Sequence, residues 1–290
     1  MATMRDIKGR IRSVSTTKKT TKAMNLVSSA KMARARGTLH AANPYFSHMR
    51  RVIGDILNSA PDFDHPVFEG NRAIKKAVVL VIANDRGLCG GYNVNITKKA
   101  AKLALELTEQ GREVSFIAVG NKARDFMRRA GGNVIKAYSG ISERPTISDA
   151  REIMEVLMEL YNSREVDEVH VAYTEFVSAI TYVPKTVRLL PVSPDDFPPE
   201  EGRDVGAIKF EPSAHDVLNA IVPKYLGTTL FEALITSAAS GQGATMTAMD
   251  AATENASSII DNLTLVLNRV RQAAITQEIS EIVGGASALE

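Results

Sequence analysis

The sequence of 290 residues has one cysteine, no tryptophan and only 6% aromatic residues. A single cysteine, Cys89, excludes an intramolecular disulfide, and no cysteine and histidine cluster with zinc-site spacing accompanies it. The longest purely apolar run, residues 77–83, has seven residues, whereas a membrane-spanning helix needs ~18. We therefore expect a protein of a reducing compartment, without a metal or cofactor, whose association with any membrane is peripheral.

The familiar catalytic and nucleotide-binding motifs are also missing. There is no Gly-Lys dipeptide of a P-loop, no G-x-S-x-G and no H-E-x-x-H. The glycine-rich segment 85–93 follows an apolar run and is either a structural turn or a phosphate-cradling loop; we favour the turn because its spacing is not G-x-G-x-x-G. For Cys89 and the five histidines we favour packing or surface roles, and we predict no catalytic residue.

The small net charge of +2, from 35 basic and 33 acidic side chains, conceals a marked asymmetry. Residues 1–72 carry 13 basic and 5 acidic side chains, residues 73–209 carry 19 of each, and residues 210–290 carry 3 basic and 9 acidic. We predict three parts with these bounds: a basic N-terminal helix, a globular domain and an acidic C-terminal helix. No nucleic-acid partner is expected, because the basic part lacks interleaved aromatic residues before Tyr45.

Both ends of the chain have the periodicity of long helices. Ile7, Ile11 and Val14 begin an N-terminal face that continues through Met24 and Val27, and Pro44 is expected to start or kink a second stretch. After Pro223 there is no further proline, and apolar residues alternate spacings of three and four at Met249, Ala252, Ala256, Ile259, Leu263, Val266, Val270 and Ala273. Such a seam needs a partner helix. The basic N-terminal helix complements its charge, which predicts an antiparallel coiled coil of the two chain ends.

Between these helices the sequence alternates strand and helix patterns. Strands are predicted at 77–83, 114–119 and 169–176, with a further candidate at 181–192. Helices are predicted at 96–110, 122–130 and 147–162, and the proline- and aspartate-rich segment 194–206 reads as a linker or flexible loop. This order predicts a doubly wound α/β, Rossmann-like domain inserted between the terminal helices.

Residues 275–288, ITQEISEIVGGASA, resemble the C-terminal signature of the γ subunit of F-type ATP synthases of the bacterial type. In that pattern Ile or Val-Thr-x-Glu is followed by an acid, then by Gly-Ala and a small residue at fixed offsets. Residues 7–14, 21–24, 30–32 and 85–93 resemble other recurrent stretches of the family, in the same order. The resemblance covers essentially the whole chain.

The resemblance implies a non-catalytic rotor subunit in the central stalk of F1, which couples ion flow to ATP synthesis or hydrolysis. The coiled coil would stand inside a ring of three α and three β subunits. The α/β domain would sit with the ε subunit on the membrane-embedded c ring, peripheral to the cytoplasmic side of the cell membrane. No cofactor, metal or catalytic residue is implied.

The resemblance also implies which residues meet the β subunits: Arg271, Gln272, Thr276 and Glu278, with Lys22 and Met24 on the opposite helix at a comparable height. The tip, residues 282–289, would seat in the upper collar of the ring. Gly241 and Thr245 stand where the family usually has Glu and Arg, so one charged contact to a β subunit is in doubt, and Gly241 with Gly243 is expected to weaken or bend the helix. The alternative function is a small-ligand enzyme or sensor that uses the loop 85–93.

Overall fold

The structure is a computed structural model that describes residues 3–59, 67–68, 74–193, 197, 211 and 213–287. The elements of these residues, in chain order, are α1 (Met4–Ser59), β1 (Lys76–Ile82), α2 (Tyr92–Glu109), β2 (Glu113–Val119), α3 (Asn121–Arg129), β3 (Asn133–Tyr138), α4 (Ile147–Asn162), β4 (Glu168–Phe176), β5 (Tyr182–Leu190) and α5 (Ala214–Ser287). The chain divides into two compact units, residues 1–28 with 246–290 and residues 29–245. The predicted linker 194–206 lies outside the described residues, apart from Phe197.

The second unit is built on one sheet with the strand order β3-β2-β1-β4-β5. The first four strands are parallel, and β5 runs antiparallel to β4 at one edge. This order, with its reversal next to β1, is that of a doubly wound domain and confirms the predicted Rossmann-like fold. The edge strand β3 is missing from the predicted strands, because most of its side chains are exposed and it lacks the apolar run that marks a buried strand.

Helices cover both faces of the sheet, since alternate side chains of each strand point to opposite sides. On one face Val78, Leu80 and Ile82 pack with α4 and with the parts of α1 and α5 that belong to this unit. On the other face Val79 and Val81 pack with α2 and α3. Burial on both faces explains why β1 is a continuous run of aliphatic residues instead of an alternating one.

The middle of α5 is buried on every side. All residues from 233 to 244 are buried, and small side chains predominate among them. Three of their hydroxyl groups bond the backbone of β4: Thr236 Oγ1 and Ser237 Oγ accept from the amides of Phe176 and Thr174, at 3.0 and 3.1 Å, and Ser240 Oγ donates to the Thr174 carbonyl at 3.2 Å. The sheet therefore holds this segment by polar as well as apolar contacts.

A buried group of charges lies at the start of β4. Glu168 forms an ion pair with Arg112, and its other carboxylate oxygen lies 3.0 Å from Nε2 of His170. The contact of His170 Nε2 with Glu168 does not have the geometry of a hydrogen bond. Burial by itself raises the pKa of Glu168, but His170, Arg112 and Arg188 outweigh it and hold that pKa below its usual value.

The long helices begin with side-chain caps. Thr3 Oγ1 accepts from the amide of Asp6 at 3.3 Å, and Ser213 Oγ accepts from the amide of Asp216 at 3.1 Å. Of the two expectations for Pro44, the start of a new helix is wrong, because α1 continues through it, and the kink stays a prediction. Pro44 is exposed, so water can reach the backbone carbonyl whose helical partner it removes.

Candidate partner-binding surface

The first unit is an antiparallel pair made from the start of α1 and the end of α5. The hydroxyl groups of Thr21 and Thr253 lie 2.7 Å apart, and Asn25 Nδ2 donates to the Met246 carbonyl at 2.9 Å. A step of four residues towards the C-terminal end of α1 thus corresponds to a step of seven residues towards the N-terminal end of α5. The two chain ends pair in opposite directions, which confirms the predicted antiparallel coiled coil.

The inner face of each helix alternates spacings of three and four. On α1 the buried and half-buried positions include Met4, Ile7, Ile11, Val14, Lys18, Thr21, Asn25 and Ser28. On α5 they include Met249, Thr253, Ala256, Ile260, Leu263, Leu267, Val270 and Ala274. This is the pattern of a coiled-coil seam.

Every second position of the predicted α5 seam, beginning with Met249, lies on the observed seam. The positions between them are each one residue away from the observed seam. Ile259 and Val266 are 48% and 45% exposed, whereas their neighbours Ile260 and Leu267 are half-buried. Val27 of α1, also assigned to the inner face, is 56% exposed. The cause is that α5 carries two apolar stripes one residue apart with the same spacing, and only the contacts with α1 select between them.

Of the described charged side chains of this unit, all but Lys18 are exposed; Lys18 is half-buried at the inner face. Residues 3–28 carry seven basic and one acidic side chain, and residues 246–287 carry two basic and five acidic. Among the described residues of this unit no ion pair joins the helices, so opposite charge does not hold them together by direct contact. The basic side of α1 and the acidic side of α5 are available to other molecules.

The six predicted β-contact residues all lie in this unit but form two separate groups. Met24 is half-buried; the exposed ones are Lys22, Arg271, Gln272, Thr276 and Glu278. Because Thr21 touches Thr253, Lys22 lies near that level of α5. Arg271 is 18 residues further on, a distance of about 27 Å along a helix. The expectation of a comparable height is wrong: the two groups lie at different levels.

No described residue of this chain covers the last part of α5. Between Ala274, which is half-buried, and residue 284, every described side chain is exposed. Ile275, Ile279, Ile282 and Val283 are 48%, 56%, 72% and 59% exposed and share one face of the helix. An uncovered apolar face of this kind marks a contact surface for another molecule.

Apolar side chains also stand on the outside of the paired helices. Leu26 and Leu265 are 64% and 67% exposed, at positions that the seam does not use. The predicted set of contact residues omits both. In the sequence each of them is an apolar residue that falls outside the buried face of its helix. It can be recognised only when the structure has shown which face is buried.

The loop 85–93 of the second unit is held by hydrogen bonds to neighbouring segments. Asp85 accepts from the amides of Asn121 and Gly140, at 3.1 and 3.0 Å, and from Ser142 Oγ at 2.6 Å. Asn93 Oδ1 accepts from the Asn84 amide at 2.9 Å. The side chains of Asp85 and Asn93 thus fix the loop to neighbouring segments, which favours the structural turn over a ligand loop.

Cys89 lies inside this loop and is suited to packing. Its side chain is 2% exposed, and Asn93 Nδ2 lies 3.0 Å from Sγ. Burial raises the pKa of the Cys89 thiol. Because the thiolate is the reactive form, these surroundings oppose a nucleophilic role.

Gly241 and Gly243 are close-packing positions of the second unit, a role that the expectation of a weak or bent helix did not include. A Cβ atom on Gly241 would lie 2.6 Å from Oδ1 of Asn84, and one on Gly243 would lie 3.1 Å from the Ala179 carbonyl oxygen. The helix continues through both, and Thr245 Oγ1 donates to the Gly241 carbonyl at 2.8 Å. A larger residue at 241 has no room beside Asn84.

Two classes of site are not found in the described part of the chain. Its cysteine, histidine and acidic side chains form no group of three or more that could hold a metal ion. None of its helices is both long enough and apolar enough to cross a membrane.

Comparisons with known proteins agree along the whole chain. A family model described as ATP synthase matches residues 3–289. The chain is 46% identical to the ATP synthase gamma chain of Alkaliphilus metalliredigens, with 99% of both chains covered, and 44% identical to that of Pelotomaculum thermopropionicum, with 100% of both covered. A gamma chain of Acetobacterium woodii named as sodium ion specific is 41% identical, over 99% of this chain and 98% of that one.

The fold is also found in solved structures. A chain of the mitochondrial ATP synthase of Euglena gracilis has a TM-score of 0.65 and 14% identity, covering 99% of this chain and 94% of that one. A chain from the central stalk and c ring of the Tetrahymena thermophila enzyme has a TM-score of 0.62 and 23% identity, covering 80% and 98%. These neighbours share the architecture described above.

Proposed function

Because the chain belongs to the ATP synthase γ-chain family, we propose that it is the central-stalk rotor subunit of an F1 sector. It transmits rotation between a membrane c ring and catalytic β subunits, and so couples ion flow to ATP synthesis or hydrolysis. The observation that carries this proposal is the paired helix unit, whose outer surface is charged and partly apolar and whose end is uncovered. We expect other subunits to surround this pair of helices.

The physical requirement on a rotor is asymmetry. A shaft shifts the equilibrium of a catalytic site only if its faces interact differently with the open and closed conformations of that site. Here one helix is basic on its outside and the other is acidic, and beyond Ala274 a single apolar face replaces the pair. Each orientation of the shaft therefore presents a different chemical surface to one β subunit.

Within this proposal the β subunits meet the shaft at two levels. The lower level contains Lys22 and Met24, and the upper level contains Arg271, Gln272, Thr276 and Glu278. Their support is exposure and charge, together with their separation along α5. The tip beyond residue 281 would lie in an apolar collar formed by the α and β subunits, because its isoleucine and valine side chains gain from leaving water.

The same proposal makes this chain non-catalytic and attaches it to the membrane through other subunits. The α/β domain would contact the ε subunit and the c ring on the cytoplasmic side of the cell membrane. Support for a non-catalytic role comes from Asp85 and Cys89, whose side chains are engaged in the packing of a turn. The three functional parts, 1–72, 73–209 and 210–290, remain our proposed division.

Reconstitution is the direct test. The purified chain alone should hydrolyse no ATP, while its addition to α and β subunits should yield an active complex. A chain that turns over ATP by itself, and adds nothing to a mixture of α and β subunits, would refute the rotor proposal in favour of the small-ligand enzyme.

The uncovered tip allows a sharper test that leaves the chain folded. Replacing Ile282 and Val283 by Ser should weaken assembly or lower ATP-driven ion pumping per ATP hydrolysed, because their apolar contacts with the collar are lost. Since both side chains are already exposed, the thermal unfolding of the isolated variant should match the parent. Ser258→Ala, also exposed on the paired helices, is the control. If assembly and pumping were unchanged in the tip variant, the proposed position of the tip in the collar would be contradicted.

A further inference from the structure

A large apolar groove lies on the second unit between α1, α4 and α5. It encloses about 810 Å³. Its lining is mainly apolar and includes the aromatic and thioether side chains of Phe46, Met154, Met158 and Phe231. None of the residues assigned above to contacts with the β subunits lines this groove.

The size and lining are those of a small-molecule site. Binding pockets for such ligands typically measure roughly 300–1,000 Å³ and are mainly apolar, with a few polar groups that fix the orientation of the ligand. Methionine side chains such as Met154 and Met158 adapt their shape to a flexible apolar partner.

Gly227 keeps the groove open. It lies inside α5 on the groove wall, and apart from its two chain neighbours and the adjacent helix backbone no described atom lies within 4 Å of the place where its Cβ would be. Glycine destabilises a helix interior relative to alanine, and here no close contact requires it. The missing side chain leaves space that the described part of this chain does not fill.

The charged groups of the lining favour an anion. Arg151 of α4 and Lys224 of α5 are basic, and Glu155 is the acidic residue among the lining positions. All three are exposed, and within the described residues none of them makes an ion pair. A guanidinium group at the edge of an apolar space binds a carboxylate through two parallel hydrogen bonds.

We propose that this groove binds a single-chain fatty carboxylate, with its hydrocarbon chain along Phe46, Met154 and Phe231 and its head group at Arg151 and Lys224. The apolar body of the ligand leaves water on binding, and its charge is matched by the two basic side chains. The inference is independent of the rotor function: it concerns a different surface and a different ligand.

The test is titration of the full-length chain with cis-parinaric acid, a fluorescent fatty acid. We expect saturable binding of one molecule per chain and displacement by palmitate. Hexadecanol, which has the same chain without the charge, should displace it about tenfold less well, as expected for loss of a charge-assisted bond. Absence of saturable binding, or equal displacement by the alcohol, would overturn the proposal.

Two variants locate the site. Gly227→Leu places a side chain in the open space and should lower the affinity at least about tenfold, whereas Gly37→Leu, also in a helix with open space around it, is the matched control and should not. Arg151→Gln changes an exposed residue and should lower the affinity for palmitate but not for hexadecanol. Affinities equal to the parent in both groove variants would place the ligand elsewhere and overturn the assignment.

A final arm uses the F1 complex assembled from α, β and γ subunits without the c ring, because lipid or detergent around a c ring would itself take up the probe. If the groove is a ligand site of the working enzyme, the complex should bind the probe with the same stoichiometry per γ chain. Loss of binding on assembly would mean that another subunit covers the groove, and the fatty-carboxylate proposal would then be wrong.

Discussion

Replacing Gly241 by alanine should destabilise the second unit, although alanine is the better helix former. The added Cβ would lie 2.6 Å from Oδ1 and 2.8 Å from Nδ2 of Asn84. Asn84 is only 8% exposed, and its backbone is held on both sides: its amide donates to Asn93 and its carbonyl accepts from the Lys122 amide. The side chain therefore has little freedom to move away.

The size of the effect follows from two opposing contributions. Overpacking of a buried site costs about 1–3 kcal/mol, and alanine in place of glycine stabilises a helix interior by about 1 kcal/mol. The net loss should be about 1 kcal/mol. Gly227→Ala, in the same helix but with open space around its Cβ, should gain up to about 1 kcal/mol. The two variants should thus differ by about 2 kcal/mol in unfolding free energy.

Urea unfolding followed by circular dichroism measures this difference, and a double-mutant cycle identifies its cause. In an Asn84→Ala background the obstacle is removed, so Gly241→Ala should become neutral or stabilising, with a coupling of about 1–2 kcal/mol. If Gly241→Ala stabilises the parent as much as Gly227→Ala does, the close packing against Asn84 has no energetic meaning and the glycine requires another explanation.

Two further predictions concern the paired helices and the buried charges. Leu267→Ala should lower the unfolding free energy of the first unit by about 1–2 kcal/mol, because Leu267 belongs to the observed seam. Val266→Ala should change it by less than about 0.5 kcal/mol, because Val266 lies beside the seam. If thermal unfolding showed the larger loss for Val266→Ala, the seam predicted from the sequence would be right and the observed one wrong. Glu168→Gln should cost about 3 kcal/mol near neutral pH, since it leaves Arg112 without its buried partner. The pKa of Glu168 is lowered in the fold, so this contribution is present above the usual glutamate pKa and is lost as the pH falls through the folded value. The gap between parent and variant in urea unfolding should shrink below about pH 4, and a gap independent of pH would contradict the assignment.

The α/β domain was the more predictable part, because its signals are local. β1 is a continuous aliphatic run bounded by polar residues, and α4 begins at a Thr146 cap and repeats its apolar residues at helical spacing. Both elements match their predicted positions. β3 differs because an exposed edge strand is stabilised by pairing with β2, and pairing partners leave no periodic mark in the strand itself.

The role of the glycines in α5 depends on distant parts of the chain and could not be predicted from α5 alone. The side chain of Asn84, 157 residues away in sequence, leaves no room for a Cβ at Gly241, and the Ala179 carbonyl limits the room at Gly243. The local sequence predicts only that glycine weakens a helix. The all-round burial of residues 233–244 gives them the opposite meaning, since small residues are what allow the sheet and the loop to approach this segment.

The two errors in the paired helices have one physical origin. Periodicity determines the angular position of an apolar stripe only to within the width of one residue, and it carries no information on the axial register of two helices. The contacts of Thr21 with Thr253 and of Asn25 with Met246 supply both quantities: they select Ile260 and Leu267 over their neighbours, and they separate Lys22 from Arg271. The polar character of these contacts matters, because a hydrogen-bonded pair inside a seam is satisfied in only one register, whereas apolar side chains tolerate a slip. A shaft that must present two groups of contact residues at fixed levels therefore gains from polar residues in its seam, even at some loss of stability.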